Sequence, residues 1–340
     1  MRAAPIGAAL LAGLALGAGS QSLAAPAASK PGDLSGVWTN VSITPFERAP
    51  SYGSRRAHTP QEAKSIEGAA VERFNEGNAP TDPNQGAEDQ TSKKCRSADG
   101  LDCGYNSGWK DSGISLARVA GEPRTSFITT GDGRIPPRKA GASPAPNFRA
   151  MGPRTDNPED RALGERCLTS FGYSAGPVML PLMYNNNYQF VQTGSDVAIV
   201  VEMVHDVRHI RIGGQHPPAD IRPWFGDSIG RWEGKTLVSE TTNFHPAQAA
   251  MFRGADANLK VVEKFTRVSP DRMLYQFTVT DPTVWAEPWG GEYEFTASKQ
   301  PLYEYACHEG NYALHNILAG ARAEEKKSGG RQVAAAGAPE

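Results

Sequence analysis

Apolar residues in the second half of the chain return at every other position in short bursts. From Cys167 onward, runs rich in Val, Ile, Phe, Tyr and Thr recur with turn residues between them, the pattern of an all-β barrel or sandwich. The alternation predicts strands near 187–193, 196–204, 207–212, 236–243, 259–268, 273–280, 291–298 and 302–307. Thr193-Gly194-Ser195-Asp196 and Ser269-Pro270-Asp271 carry the residues of hairpin turns. No helical period interrupts these strands, which argues against βαβ units and for an antiparallel arrangement.

The first half is patterned differently. Asp33 to Trp38 reads as an opening strand, and residues 41–57 lack any period. Thr59-Pro60-Gln61-Glu62 is a helix start, with Thr59 as cap, Pro60 in the first turn and Glu62 reaching back, and the helix runs to Phe74 and ends near Gly77. Residues 78–121 read as a long loop, 124–129 as a short strand and 136–160 as Pro-rich extended chain. The tail after Gly320 is helical at first and then Gly/Ala-rich. The organisation expected is a signal peptide over 1–25, a loop-rich extension with a first strand and one helix over 26–160, a β-barrel core over 161–320 and a disordered tail over 321–340.

The start of the chain adds an address. Met1-Arg2 precedes an uncharged apolar run from Ile6 to Ala18, and small residues at Ser22 to Ala25 offer a cleavage site after Ala24 or Ala25. That run is shorter than the about 20 apolar residues a membrane span needs. Periplasmic or secreted localisation follows, with no membrane partner after signal removal. With 36 Gly and 26 Pro in 340 residues the chain is rich in turns, and a net charge of -2 without a basic stripe makes nucleic acid an unsuitable partner.

Four cysteines suit an oxidising compartment. Three pairings are possible. Cys95 with Cys103 and Cys167 with Cys307 is the favoured set, the second closing a loop for which chain entropy assigns about 4–5 kcal/mol. Cys95 and Cys103 stand too far apart for a zinc knuckle. No glycine-rich phosphate loop, haem site or complete ligand set occurs, so neither metal nor cofactor is expected.

Candidate chemistry comes from polar groups where the alternation demands burial. Leu259, Val261, Glu263, Phe265 and Arg267 share one strand face, which places Glu263 among hydrophobes. It is either a proton-transfer group of raised pKa or one half of an internal ion pair with Arg208 or Arg231, and the ion pair is the commoner outcome. Glu202, His205, Asp206, Arg208 and His209 form the densest ionisable cluster. In a strand His205 and His209 lie about 13 Å apart, too far to share a metal. Catalytic candidates are therefore Glu263, His205, Arg208 and Glu202, with a structural hydrogen-bond network as the plainer reading. Trp224, Trp289, Tyr305, His308, Glu309 and Asn311 are candidates for substrate binding at a barrel mouth. The Trp residues equally suit closure of the core, and Glu309 and Asn311 equally suit caps of a turn and of a short helix near Tyr312. Gly226-Asp227-Ser228-Ile229-Gly230 matches G-x-S-x-G, with Asp281 and His308 following in α/β-hydrolase order. A tight turn explains it more simply, and Ser228 stands as an alternative nucleophile.

Asn157-Pro158-Glu159-Asp160-Arg161, Glu165-Arg166-Cys167-Leu168, Gly226-Asp227-Ser228 with Gly230-Arg231-Trp232-Glu233-Gly234, Thr241-Thr242-Asn243-Phe244 and Glu304 to Tyr312 resemble a large group of secreted bacterial hypothetical proteins of unassigned activity. The resemblance covers most of residues 30–322 and brings no activity. Through Gly36-Val37-Trp38 and the meander behind it, the chain is also similar to lipocalin-type barrels, which implies a ligand-holding shape. The expectation is an exported protein that handles an apolar or ring-containing small molecule. An acid-base lyase, isomerase or hydrolase is favoured over a non-catalytic lipocalin-like binder, and a serine hydrolase using Ser228 is a third reading.

Overall fold

The computed structural model of the protein describes residues 32–78, 111, 113–142, 155–170 and 175–327. Its centre is a closed barrel of nine strands. The strands in chain order are β1 (Gly36–Thr39), β4 (Asn187–Gln192), β5 (Asp196–Val201), β6 (Val207–Ile212), β7 (Asp227–Glu233), β8 (Thr236–Thr242), β9 (Lys260–Ser269), β10 (Arg272–Thr280) and β11 (Trp289–Ala297). The short strands β2 (Arg118–Val119) and β3 (Glu122–Pro123) pair with each other outside it. Among the described residues three α-helices complete the fold: α1 (Pro60–Asn78), α2 (Pro246–Met251) and α3 (Ala313–Lys327).

The predicted all-β barrel is present, and its odd strand count has a geometric consequence. Nine strands cannot alternate in direction all the way round a ring, so one neighbouring pair must be parallel. That pair is β6 with β7, in register Ile210↔Ser228 to Ile212↔Gly230, while every other pair in the ring is antiparallel. The closing strand β1 pairs with β4 on one side and with β11 on the other.

The two ends of the barrel differ. At one end tight turns join β4 to β5, β7 to β8 and β9 to β10. At the other end lie the β5–β6 turn, the connections leading into β7 and β9, and residues 281–288 before β11.

Strand boundaries follow the alternation closely, with two exceptions. The segment at Gly226 to Gly230, read as a tight turn, lies mostly in strand β7. Asp227 and Ser228 carry no apolar signal, and Gly230 is required because a Cβ there would come within 2.7 Å of Ile210 Cγ2 and 2.9 Å of Ile212 Cδ1. Residues 302–307 form no strand despite their alternation. They run outside the ring to the Cys167–Cys307 disulfide, a predicted pairing that links positions 140 residues apart. Predicted Cys95–Cys103 and the signal peptide lie outside the described residues. A short helix, α2, does fall between strands, against expectation. The N-terminal helix begins as its sequence dictates: Glu62 N donates to Thr59 Oγ1 and Thr59 N to Glu62 Oε2. At the C-terminus α3 extends to Lys327, beyond the predicted start of a disordered tail.

Alternate side chains fill the barrel. Trp38, Tyr188, Phe190, Phe265, Tyr275, Tyr293 and Phe295 are all buried, with ring centroids 5.1 Å apart for Phe265–Tyr275 and 5.3 Å for Tyr275–Phe295. Each such ring contributes about 1.5–3 kcal/mol by leaving water. The chain itself supplies a further filler, since Ala175, Val178, Met179 and Leu180 belong to the same core.

Candidate functional site

Two polar regions stand near the long-loop end, one inside the barrel and one on its flank. Inside, alternation along β6 turns Arg208 inward while His209 points outward, and the same rule along β9 turns Glu263 inward. Arg208 Nη1 donates to Glu263 Oε1 at 3.1 Å, and Nη2 donates to Oε2. Both side chains are sealed, at 1 % and 0 % exposure. Arg231, the other proposed partner, instead pairs with Glu233 on the surface. The Tyr275 hydroxyl donates to Glu263 Oε1 at 2.8 Å and accepts from the Met179 backbone N–H at 3.0 Å. The Tyr293 hydroxyl donates to the Met179 carbonyl, and Asn40 Nδ2 donates to the hydroxyls of Tyr293 and Tyr188. Burial pushes all three phenols well above their usual pKa, so they remain hydrogen-bond donors.

The segment around Met179 is thus pinned inside the mouth by two tyrosines. In the same interior Arg208 Nε and Ser239 Oγ are buried without a hydrogen-bond partner among the described residues.

The second region is a groove of about 490 Å³ along the parallel seam. One wall is the outward face of β6 with the β5–β6 turn, from Val204 to Arg211; the other is Pro223 to Ser228, and Cys167 with Leu168 closes one side. The β5–β6 turn is tight, with Val204 and His205 at φ 59° and 46°. That left-handed conformation is unusual for a β-branched residue. It delivers His205 to the surface and Asp206 to the groove wall. Across the groove, the Trp224 indole packs against His245 with ring centroids 4.0 Å apart and planes tilted by 36°.

The charges of the groove are almost all matched. Arg211 holds Asp227 through Nη1 at 2.7 Å and Nη2 at 3.0 Å, and His216 Nδ1 lies 2.7 Å from the same carboxyl. Burial would raise the Asp227 pKa, but these bonds outweigh it and hold it below the usual range. His209 Nε2 meets Asp196 Oδ1 at 2.6 Å. Asp206 is the exception. Burial raises its pKa from 3.8 to about 7, against which only a bond from the Ser170 backbone acts, and its Oδ2 has no partner among the described residues.

The remaining predicted residues fall in three places. Glu202 is buried where β5 ends, accepting from Asn187 Nδ2 at 2.7 Å. Trp289 is buried in the core, stacked on Phe252 at 5.7 Å and edge-on to Phe46 and Trp285. Tyr305 packs half-buried against that core, while His308 and Glu309 are exposed. Asn311 Oδ1 accepts from Ala313 N at the start of α3 and its Nδ2 donates to the Cys307 carbonyl. The structure brings His205, Arg208, Trp224 and Ser228 to one groove, and joins Arg208 to Glu263 beneath it.

Ser228 lies within β7, buried, with its Oγ 2.8 Å from Thr241 Oγ1, and Asp281 is engaged by Thr283 and the Asp256 backbone. Sequence reasoning placed Asp206 in the ionisable cluster without singling it out. The sequence marks only its place at the bend between the buried strand that ends at Val201 and the inward-facing Arg208, not its lack of a partner.

Among the described residues no group of three His, Cys, Asp or Glu side chains is arranged to hold a metal ion, and no helix is long and apolar enough to cross a membrane. Compared with protein-family models, curated proteins and solved structures, the chain gives no match.

Proposed function

We propose that this is an exported protein that binds a small ring-containing molecule, and that it does so in the groove at the β6–β7 seam rather than inside the barrel. One observation carries the reading: the barrel interior is filled by its own aromatics and by Met179, whereas the groove offers open volume, an aromatic platform and a carboxyl without a counter-charge. A lipocalin-type barrel holds its ligand in the lumen, whereas here the described residues Phe190, Phe265, Tyr275, Tyr293 and Met179 are buried there. Binding of ring compounds, followed by calorimetry on the full mature chain, tests the reading. Trp224→Ala should weaken binding about tenfold by removing one stacking face, and Tyr303→Ala, exposed and outside the groove, should not. Equal affinity of Trp224→Ala and the unaltered protein would place the site elsewhere.

A second reading, acid-base catalysis in the same groove, is favoured by Asp206. A carboxyl with a pKa near operating pH is suited to exchange a proton with substrate, and His205 stands beside it as a second exchanging group. Glu263 then acts beneath the site, holding Arg208 in place. Under this reading Asp206→Asn keeps affinity for a neutral ring compound and loses turnover. Export is supported by the Cys167–Cys307 disulfide and the N-terminal sequence. N-terminal sequencing of the recovered protein should begin after Ala24 or Ala25.

A further inference from the structure

Resting on the groove as the binding site, the charge arrangement narrows the ligand. We infer that the groove selects a ring compound carrying a protonated nitrogen, held between the Asp206 carboxyl and the face of Trp224. Three arguments support this. First, the arginines that line the groove are already neutralised: Arg208 by Glu263 within the barrel and Arg211 by Asp227 at its edge. An anionic ligand would find no free guanidinium, and to recruit Arg211 it would have to displace a carboxylate held by two hydrogen bonds.

Second, among the described residues the Asp206 carboxyl has no cation beside it and no partner but the Ser170 backbone. An ammonium or a protonated heterocycle in the groove supplies the missing charge beside the carboxyl, and a charge-assisted interaction is the strong kind. Third, Trp224 lines the groove and is backed on one side by His245, which leaves an indole suited to a cationic ring.

The remaining titratable groups of the walls are His205, His209 with Asp196, and Asp227 with His216. Affinity for an amine therefore rises with pH through the region of about 7 where Asp206 ionises.

Three ring probes of nearly equal size decide the matter on the full mature chain: benzylamine, benzyl alcohol and benzoate, titrated calorimetrically at pH 8. Benzylamine should bind about tenfold tighter than benzyl alcohol, the margin of a charge-assisted hydrogen bond, and benzoate weakest. Asp206→Asn should abolish the preference for the amine over benzyl alcohol, and Asp206→Glu should keep it. Tightest binding of benzoate, or an amine preference that survives Asp206→Asn, overturns the inference while ring binding in the groove stands. Should none of the three bind, the groove reading fails and this inference with it.

Discussion

The barrel interior and the groove beside it each contain a carboxyl group withdrawn from water, and they treat it in opposite ways. Glu263 receives two donors from Arg208 and a third from Tyr275, so the desolvation of both charges is offset within the chain. Asp206 receives one backbone bond and, among the described residues, no counter-charge, and it holds its proton to about pH 7. A buried polar group that the fold satisfies is part of the fold; one left short of partners is available to something else. On this criterion the carboxyl of the groove, rather than that of the interior, is the one to test for function.

The comparison can be broken or sharpened by substitution. The largest effect is expected from Cys167→Ser with Cys307→Ser, since the bridge closes a loop of sequence separation 140 and also fixes one side of the groove. A loss of about 4–5 kcal/mol in chemical denaturation is expected from chain entropy. Next comes Arg208→Met, which strands Glu263 in the interior and should cost about 3–5 kcal/mol. The double variant Arg208→Met/Glu263→Leu should recover most of that loss. A double variant as unstable as the single one would show that the pair does more than satisfy itself.

Asp206→Asn should act in the other direction. The folded-state pKa lies above the unfolded value of 3.8, so the native state binds the proton more tightly. This group's contribution therefore favours folding at acid pH and is lost as pH rises from about 4 through about 7. Replacing it with a neutral isostere should raise stability at pH 8 by about 2–4 kcal/mol and leave it nearly unchanged at pH 4, read from denaturation midpoints at the two pH values. A flat difference across pH would deny Asp206 its special place. The smallest effect belongs to His205→Ala, exposed on its turn, which should move stability by less than about 0.5 kcal/mol while ligand affinity changes.

Much of the barrel was legible because its signal is local. Val197, Ile199 and Val201, or Met273, Tyr275, Phe277 and Val279, announce a strand by alternation alone, and Glu263 declares its burial by standing at an inward position between Val261 and Phe265. Strand β7 was hidden because its inward positions are Ser228 and Gly230, chosen for close approach to β6 and β8 rather than for apolar area. Residues 302–307 alternate like a strand, but both sides of the one available ring position are already filled by β1 pairing with β4 and β11. The Arg208–Glu263 pair was within reach because both residues break apolar faces. Asp206 was not, because its raised pKa arises from neighbours such as Ser170 that are distant in sequence. Nor does any pattern in Val178 to Leu180 betray that this stretch enters the barrel.

The four-residue strand Gly36–Thr39 gives the molecule an unusual schedule. Trp38 meets Ala297, so the first stave of the ring waits for the last before the hydrogen-bond circuit is complete. Contacts of such range make for slow folding. During synthesis, β1 and β10 each present an open edge until β11 arrives, and open edges recruit other chains. A protein assembled in this order has reason to remain extended, or in the care of a chaperone, until its whole length has been delivered.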